Sequence, residues 1–253
     1  MAKIIAIANQ KGGVGKTTTS VNLCGVLKSL GQRVLLCDMD PQGNCTSGMG
    51  VDKNTANPNI YHVLVGGVCA KDAIRETPYG DVLPANKDLS GAGIELVTMA
   101  DREYILKNTL QQLADDYDYI LVDCPPSLEM LTLNSLCAAD TILIPVQCEY
   151  FALEGLSDLM TTIRMVKKKL NRIIDIEGVL LTMYDARTNF SAQVAAEVKR
   201  YFKDKVYNVV IPRNVRLSEA PSHGKPVIAY DRSSKGAVAY MELGKELLRR
   251  NDR

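Results

Sequence analysis

The 253-residue sequence predicts an α/β fold: a doubly wound, mostly parallel sheet with helices on both faces. Three observations carry this reading. Short β-branched apolar runs alternate with longer stretches of helical periodicity almost throughout. The runs are apolar on consecutive residues, as strands covered on both faces are. The first run enters the first helical stretch through a glycine-rich loop, the arrangement of an anion-binding helix start.

In order, residues 3–8 (Lys-Ile-Ile-Ala-Ile-Ala) read as a short buried strand. Residues 16–30 carry Val21, Leu23, Val26, Leu27 and Leu30 at helical spacing, and Gly31 stops that helix. Further strands are expected over 34–38, 119–124, 141–146, 177–183 and 206–211, and helices over 101–114, 130–138, 154–170, 191–202 and 237–250. A long polar segment from Gly43 onward, loosest over 55–59, receives no element. No Ser/Gly/Pro-rich linker, low-complexity tract or internal repeat divides the chain, so a single domain over 1–253 is expected.

There is no apolar run of about 18 residues, and the N-terminal apolar stretch is too short for a signal peptide, which predicts a soluble cytosolic protein. Seven cysteines (Cys24, Cys37, Cys45, Cys69, Cys124, Cys137 and Cys148) lie without a CxxC pair, mostly among apolar neighbours, and read as reduced buried thiols. A metal or iron–sulfur role across a dimer is the competing reading. The net charge of +1 conceals an asymmetry: residues 1–150 carry 11 Lys+Arg against 17 Asp+Glu, residues 151–253 carry 19 against 12. A basic face able to meet a polyanion follows from it.

The chemistry concentrates in three segments. Gly15-Lys16-Thr17 ends a phosphate-binding loop, in which backbone N–H groups cradle phosphates, the lysine neutralises them and the hydroxyl ligates magnesium. The usual opening glycine is replaced by Gln10, and Gly12 and Gly13 follow an additional lysine, Lys11. In the second segment, Asp38-Met39-Asp40-Pro41-Gln42-Gly43, Asp40 is assigned to orient a water near a γ-phosphate and Asp38 to fix the loop. The third, residues 119–127, ends four apolar residues in Asp123, as a Walker B strand does, and Asp123 is assigned to magnesium. Asn86-Lys87-Asp88 does not complete a guanine-reading motif, because Leu89 stands at its last position, so ATP is preferred. Pro212 and Asn214 are the candidate adenine readers.

With these segments on the page, the chain resembles the ParA/Soj chromosome-partitioning ATPases, deviant-Walker P-loop proteins related to MinD and the nitrogenase iron protein. The resemblance is carried by the Lys11 loop, Asp-x-Asp-Pro-Gln-Gly, Val-Asp-Cys-Pro-Pro-Ser and the segments 145–155 and 210–222. It implies that Lys16 contacts the β- and γ-phosphates, Thr17 ligates Mg2+ and Thr18 contacts the α-phosphate. Backbone N–H groups across Gly13, Val14 and Gly15 would assist, and Gly12 would allow two loops to approach. Lys11 would be the signature lysine, reaching across a homodimer interface to the partner's nucleotide like an arginine finger.

The resemblance further implies nonspecific binding of double-stranded DNA by the ATP dimer. Arg187 and Arg216 would be its key contacts, with Lys199, Arg200, Lys203 and Lys205 as helpers. It implies stimulation of hydrolysis by a ParB-like protein through its N-terminal peptide, a nucleoid-associated cytoplasmic location, and room for a replication initiator or a sporulation role. Departures from relatives matter too. The loop lies within a dozen residues of Met1, which leaves no room for the helix-turn-helix domain of some plasmid ParA proteins. The tail over 246–253 lacks the apolar bulk of a MinD-type membrane anchor. A membrane-cycling regulator of MinD type and an electron-transfer ATPase resembling the nitrogenase iron protein are the alternatives.

Overall fold

The computed structural model describes residues 1–149 and 152–252, and the side chains among these except at 152–155. Six strands, β1 (Lys3–Ile7), β2 (Val34–Asp38), β3 (Asp81–Leu83), β4 (Tyr119–Asp123), β5 (Thr141–Gln147) and β6 (Asp175–Thr182), form one all-parallel sheet in the order β3-β2-β4-β1-β5-β6. The chain winds outward from β1 in both directions, so the strand order reverses beside it. Ligands in such sheets bind at that reversal, beyond the carboxyl ends of the strands.

Strand periodicity divides the core in two. Ile5, Ile7, Leu36, Leu121 and Leu143 face the helices Lys16–Ser29 and Lys235–Asn251, where Leu23, Leu27, Leu243 and Leu247 meet them. Ile4, Ala6, Cys37, Ile120, Val122 and Ile142 point the other way, toward Leu106, Leu110, Leu136, Leu159 and Val198 of helices Ile105–Gln111, Met130–Ala138, Ala152–Lys169 and Asn189–Phe202. Burial on both faces is why these strands read as unbroken apolar runs. Gly244 sits where the Lys235–Asn251 helix crosses Lys16–Ser29, and a Cβ there would overlap Val26 Cγ1. That close approach seats the first helix, and with it the phosphate loop, on the sheet.

The expected doubly wound sheet is present, with helices on both faces, and three local expectations change. The polar segment after Gly43 is not featureless: it holds helices Asn44–Gly48, Ile60–Leu64, Ala70–Ala73 and Leu89–Glu95 and the edge strand β3. These are too short to show a period, and side chains hold them instead, as in the capping box between Asn59 and His62. The helix expected from residue 101 begins at Ile105, because Asp101 adopts φ 50° and closes a turn to Tyr104.

Residues 206–211 are not a strand. They run beside β6 through the bonds Tyr207 N to Val179 O and Ile211 N to Leu181 O, but between these the amides of Asn208 and Val209 turn to the Glu246 carboxylate at 3.0 and 3.2 Å. Arg250 completes the arrangement, donating to Glu246 at 2.7 Å and to Val206 O at 2.9 Å. A side chain from the last helix therefore takes the ladder's place. Among the described residues no helix is long and apolar enough to cross a membrane.

Glu246→Ala should therefore destabilise the protein by about 1 kcal/mol, the cost of leaving part-buried amides without this acceptor. Glu246→Gln should recover part of the loss. Urea unfolding of the three proteins checks this, and equal midpoints would show that the carboxylate does not hold this edge.

Candidate active site

Beyond β1 the chain turns into the phosphate loop, and Asn9 holds the turn. Its amide donates to Pro145 O at 2.7 Å, and its carbonyl accepts from Lys11 N at 3.0 Å. Gly13 and Gly15 have φ 75° and 91°, left-handed values that a side chain would strain. A Cβ at Gly12 or Gly13 would meet nothing within 4 Å, so the mouth of the loop is open. From behind, Thr182 Oγ1 donates to Val14 O at 2.8 Å and pins the loop to the end of β6. The Lys16–Ser29 helix starts here without a side-chain cap, whereas Thr188 and Ser234 cap their own helices. Its first-turn amides have no partner within the helix, and with the open glycines they make an anion cradle.

Lys16 is 7% exposed and lies across this cradle, with Nζ 3.1 Å from Lys11 O. Burial lowers its pKa, and the charges of Asp123 and Asp40 oppose that shift. The ammonium faces the Asp123 and Asp40 carboxylates across the mouth of the loop. Lys11 itself is half-buried, with Nζ 3.8 Å from Glu149, which also lies 3.7 Å from Arg213.

Parallel pairing of β2 with β4 sets Asp38 level with Asp123. Asp38 is wholly buried and accepts from Thr46 N at 2.8 Å, Thr46 Oγ1 at 2.7 Å and Asp40 N at 3.1 Å. These bonds tie the Asp40 turn to β2. Asp123, equally buried, accepts from Thr17 Oγ1 at 2.8 Å and Ser20 Oγ at 2.7 Å. Burial raises both carboxyl pKa values, and each Asp's hydrogen bonds oppose the rise. Asp38's charge raises Asp123 further. Asp40 is partly exposed at the mouth, its carboxylate accepting from Gln42 N at 2.9 Å.

The structure thus brings Lys16, Thr17, Asp40 and Asp123 to one place. It also brings the two base candidates to the loop: Gly15, Thr18, Thr182, Pro212, Asn214 and Tyr240 line a cavity of about 290 Å³. Asn214 Oδ1 accepts from Arg216 N at 2.9 Å as a helix cap, so what it offers a ligand is its N–H pair. Asn9, Ser20, Thr46 and Thr182 escaped the sequence reading. Ser20 carried a signal, standing one helical turn after Lys16 and so on the face toward Asp123. Asn9 and Thr182 act through partners distant in sequence, and Thr46 reaches back eight residues to Asp38.

The basic candidates divide. Arg187 is 88% exposed in its side chain and forks onto Asp185 at 2.9 and 2.7 Å, holding that carboxyl down at about 2. Arg187, Arg213 and Lys235 line one cavity of about 920 Å³. Arg216 pairs with Glu219 at 2.7 Å and Asp231 at 3.3 Å. Lys199, Arg200 and Lys203 instead stand at the far end of the Asn189–Phe202 helix, about 20 Å of helix away from Arg187. Lys205 is bound to Asp175 at the start of β6. Tyr150 and Phe151 of the 145–155 segment lie outside the described residues. All seven cysteines are free and only Cys69 is exposed; burial pushes the Cys124 thiol up to about 12.

The raised carboxyls have a consequence for stability. Between the ordinary carboxylate range and their raised values the folded state binds more protons than the unfolded chain, so stability falls as pH climbs through that window. In EDTA and without nucleotide, Asp123→Asn should be more stable than the parent at about pH 8, by on the order of 1–3 kcal/mol, and the gap should close toward about pH 5. Thermal melts across that range check it; a parent more stable than the variant at the alkaline end would contradict it.

A family model described as "AAA domain" matches residues 2–176. The sporulation initiation inhibitor protein Soj of Bacillus subtilis is 59% identical over 249 residues, covering 98% of each chain. The chromosome partitioning protein ParA of Myxococcus xanthus is 53% identical, covering 99% of this chain and 89% of that one. Among solved structures, cobyrinic acid a,c-diamide synthase from Mycobacterium smegmatis with bound ADP and magnesium superposes with a TM-score of 0.88 at 40% identity, covering 100% of this chain and 96% of that one. With a phosphate loop, Asp38 and Asp123 set at the carboxyl ends of one parallel sheet, and these relatives matched end to end, the chain belongs to the ParA/Soj family of chromosome-partitioning ATPases.

Proposed function

We propose that this ATPase is a DNA-anchored switch for segregating chromosomes or plasmids. ATP with magnesium assembles a homodimer that holds double-stranded DNA without sequence preference, and a ParB-like partner stimulates hydrolysis and release. The observation that carries the reading is the junction of Thr17 with Asp123 beneath an open glycine loop, with Lys16 and Asp40 at its mouth. The residues suit the ligand: uncapped helix amides and Lys16 match phosphate, and a hydroxyl beside a buried carboxylate matches a hard cation. The relative that holds ADP and magnesium supports the same assignment.

Thr17 and Asp123 would hold the magnesium ion, which supplies charge neutralisation on the phosphates when bound. Gly13, Val14 and Gly15 present backbone N–H groups to the phosphates, Thr18 contacts the α-phosphate, and Pro212 and Asn214, which line the same cavity as Thr18, read the base. Asp40, held by the amide of its own turn, accepts a hydrogen bond from the attacking water and so orients it. Gly12, without a side chain, leaves the loop open to a second subunit. Among the described residues the Lys11 side chain is restrained by one long, partly exposed pairing to Glu149, and such pairs contribute little. It is therefore free to reach the partner subunit's phosphates, where a cation in trans stabilises developing charge.

For DNA, Arg187 and Arg216 face solvent near the nucleotide end and exchange their partly buried carboxylate partners for backbone phosphates. Lys199, Arg200 and Lys203 extend the basic surface down the neighbouring helix as a second, separate contact. Pairing two monomers' patches multiplies weak contacts, which makes DNA binding follow ATP.

Asp40→Ala should bind ATP and dimerise with hydrolysis lowered about 100-fold, the usual scale for a positioned proton acceptor. Lys11→Ala should retain nucleotide binding as a monomer and lose the ATP-dependent dimer, and Lys16→Ala should lose nucleotide function. Turnover assays, nucleotide titration and light scattering distinguish the three; normal turnover by Asp40→Ala would remove its role. Arg187→Glu should abolish ATP-dependent DNA retention, and the parent's retention should fall steeply with salt. Retention equal to the parent at every salt concentration would exclude this face.

A further inference from the structure

The cavity beside the phosphate loop takes its walls from opposite ends of the chain. Gly15 and Thr18 supply one wall, and Pro212, Asn214, Leu217 and Pro221 supply the other. A nucleotide spans a set distance from its phosphates to its base, so binding both at once requires that the separation of these walls be fixed. Asn22 joins them. It stands one helical turn after Thr18, buried in the Lys16–Ser29 helix, and its Nδ2 donates to Thr18 O at 2.7 Å. That bond turns Oδ1 away from its own backbone, where it accepts from Val227 N at 2.6 Å. Val227 opens the short helix Val227–Tyr230, which ends the segment that begins at Pro212.

Among the described residues no other hydrogen bond links the Lys16–Ser29 helix to residues 212–230. Asparagine is a weak helix former, and a buried amide opposes folding unless both its ends are bonded. The bridge, rather than the helix, accounts for its place here. Close packing holds the same contact shut. On the same helical face a Cβ at Gly25 would stand 2.7 Å from Pro226 Cγ, and a Cβ at Gly236 of the Lys235–Asn251 helix would stand 2.8 Å from Leu217 Cγ. Thr19 Oγ1 meets the Tyr240 hydroxyl at 3.2 Å, which ties these two helices to each other. The base wall is thus seated on both, and Asn22 supplies its polar anchor to the helix that begins at the phosphate loop.

We infer that Asn22 is a positioning residue for the nucleotide: it sets the separation between the phosphate cradle and the base wall, and nucleotide affinity depends on it through the adenosine. The inference rests on the assignment of Pro212 and Asn214 to the base. Asn22 does not line the cavity and acts through the backbone on either side of it. Without its oxygen the Val227 amide loses an acceptor, and the wall gains a freedom that a nucleotide must remove on binding. An occupant confined to the cradle is indifferent to that freedom.

The test measures binding of ADP and of inorganic pyrophosphate, each with magnesium, to the full chain by displacement of a fluorescent ADP analogue. ADP keeps ATP-dependent dimerisation out of the reading, and pyrophosphate is its counterpart without the adenosine. The parent is compared with Asn22→Ala, Gly25→Ala and Asn214→Ala. ADP affinity should fall about tenfold in Asn22→Ala, the scale of one lost hydrogen bond, while pyrophosphate affinity stays within about twofold of the parent. Gly25→Ala, whose methyl group pushes Pro226 off the helix, should show the same selective loss with the Asn22 side chain intact. Where Asn22→Ala does not fold, Gly25→Ala decides. Asn214→Ala with parental ADP affinity would overturn the base wall and this inference with it. Selective loss in Asn214→Ala, with Asn22→Ala and Gly25→Ala at parental affinity, would overturn the bridge alone. Equal loss of ADP and pyrophosphate in Asn22→Ala would make the residue a plain support of the phosphate loop and overturn its positioning role.

Discussion

The parallel register of β1, β4 and β2 is the constraint on which the nucleotide end depends. Ile7, Asp123 and Asp38 stand level across three neighbouring strands, so the chain leaves the sheet at one height in three places. The glycine loop leaves from β1, the Asp40 turn from β2 and the Pro125 loop from β4. A slip of one residue in either pairing would turn Asp38 or Asp123 onto the opposite face of the pleat, because strand side chains alternate. Thr17 would then have no carboxylate to meet.

Holding that register brings two carboxylates out of water side by side, an arrangement that opposes folding of the empty protein. Each is compensated locally: Thr46 and the Asp40 amide satisfy Asp38, and Thr17 and Ser20 satisfy Asp123. Lys16 lies in the same space, and its charge is favourable to both. The site is thus preorganised for a cation and an anion together, with its tension relieved when both arrive. Catalytic groups with opposed demands are expected to concentrate such strain where the function is.

The charge asymmetry takes on spatial meaning once the chain is folded. The basic C-terminal portion contributes Arg187, Arg213 and Lys235 to one cavity beside the nucleotide end, and the acidic N-terminal portion contributes Glu129 to the groove beside the Asp40 turn.

Much of this was legible in the residues. Buried strands declare themselves by unbroken apolar runs, and 34–38 and the helix over 130–138 came out as expected because burial on defined faces dictates their composition. The placement of the glycine loop, Asp40 and Asp123 just at or beyond strand ends was readable because short apolar runs ending in glycine or aspartate mark those ends locally. Other features depended on partners far along the chain. Asn9 acts through Pro145, Thr182 through Val14, and Glu246 through the amides of Asn208 and Val209, which is why 206–211 runs beside β6 without becoming a strand. Likewise charge counts announced a basic portion, while only the fold separated Arg187 from Lys199, Arg200 and Lys203. Sequence determined the local choices that backbone geometry and burial enforce within a few residues. Tertiary structure alone decided which polar groups meet across a hundred residues, since hydrogen bonds between distant side chains leave no period in the chain.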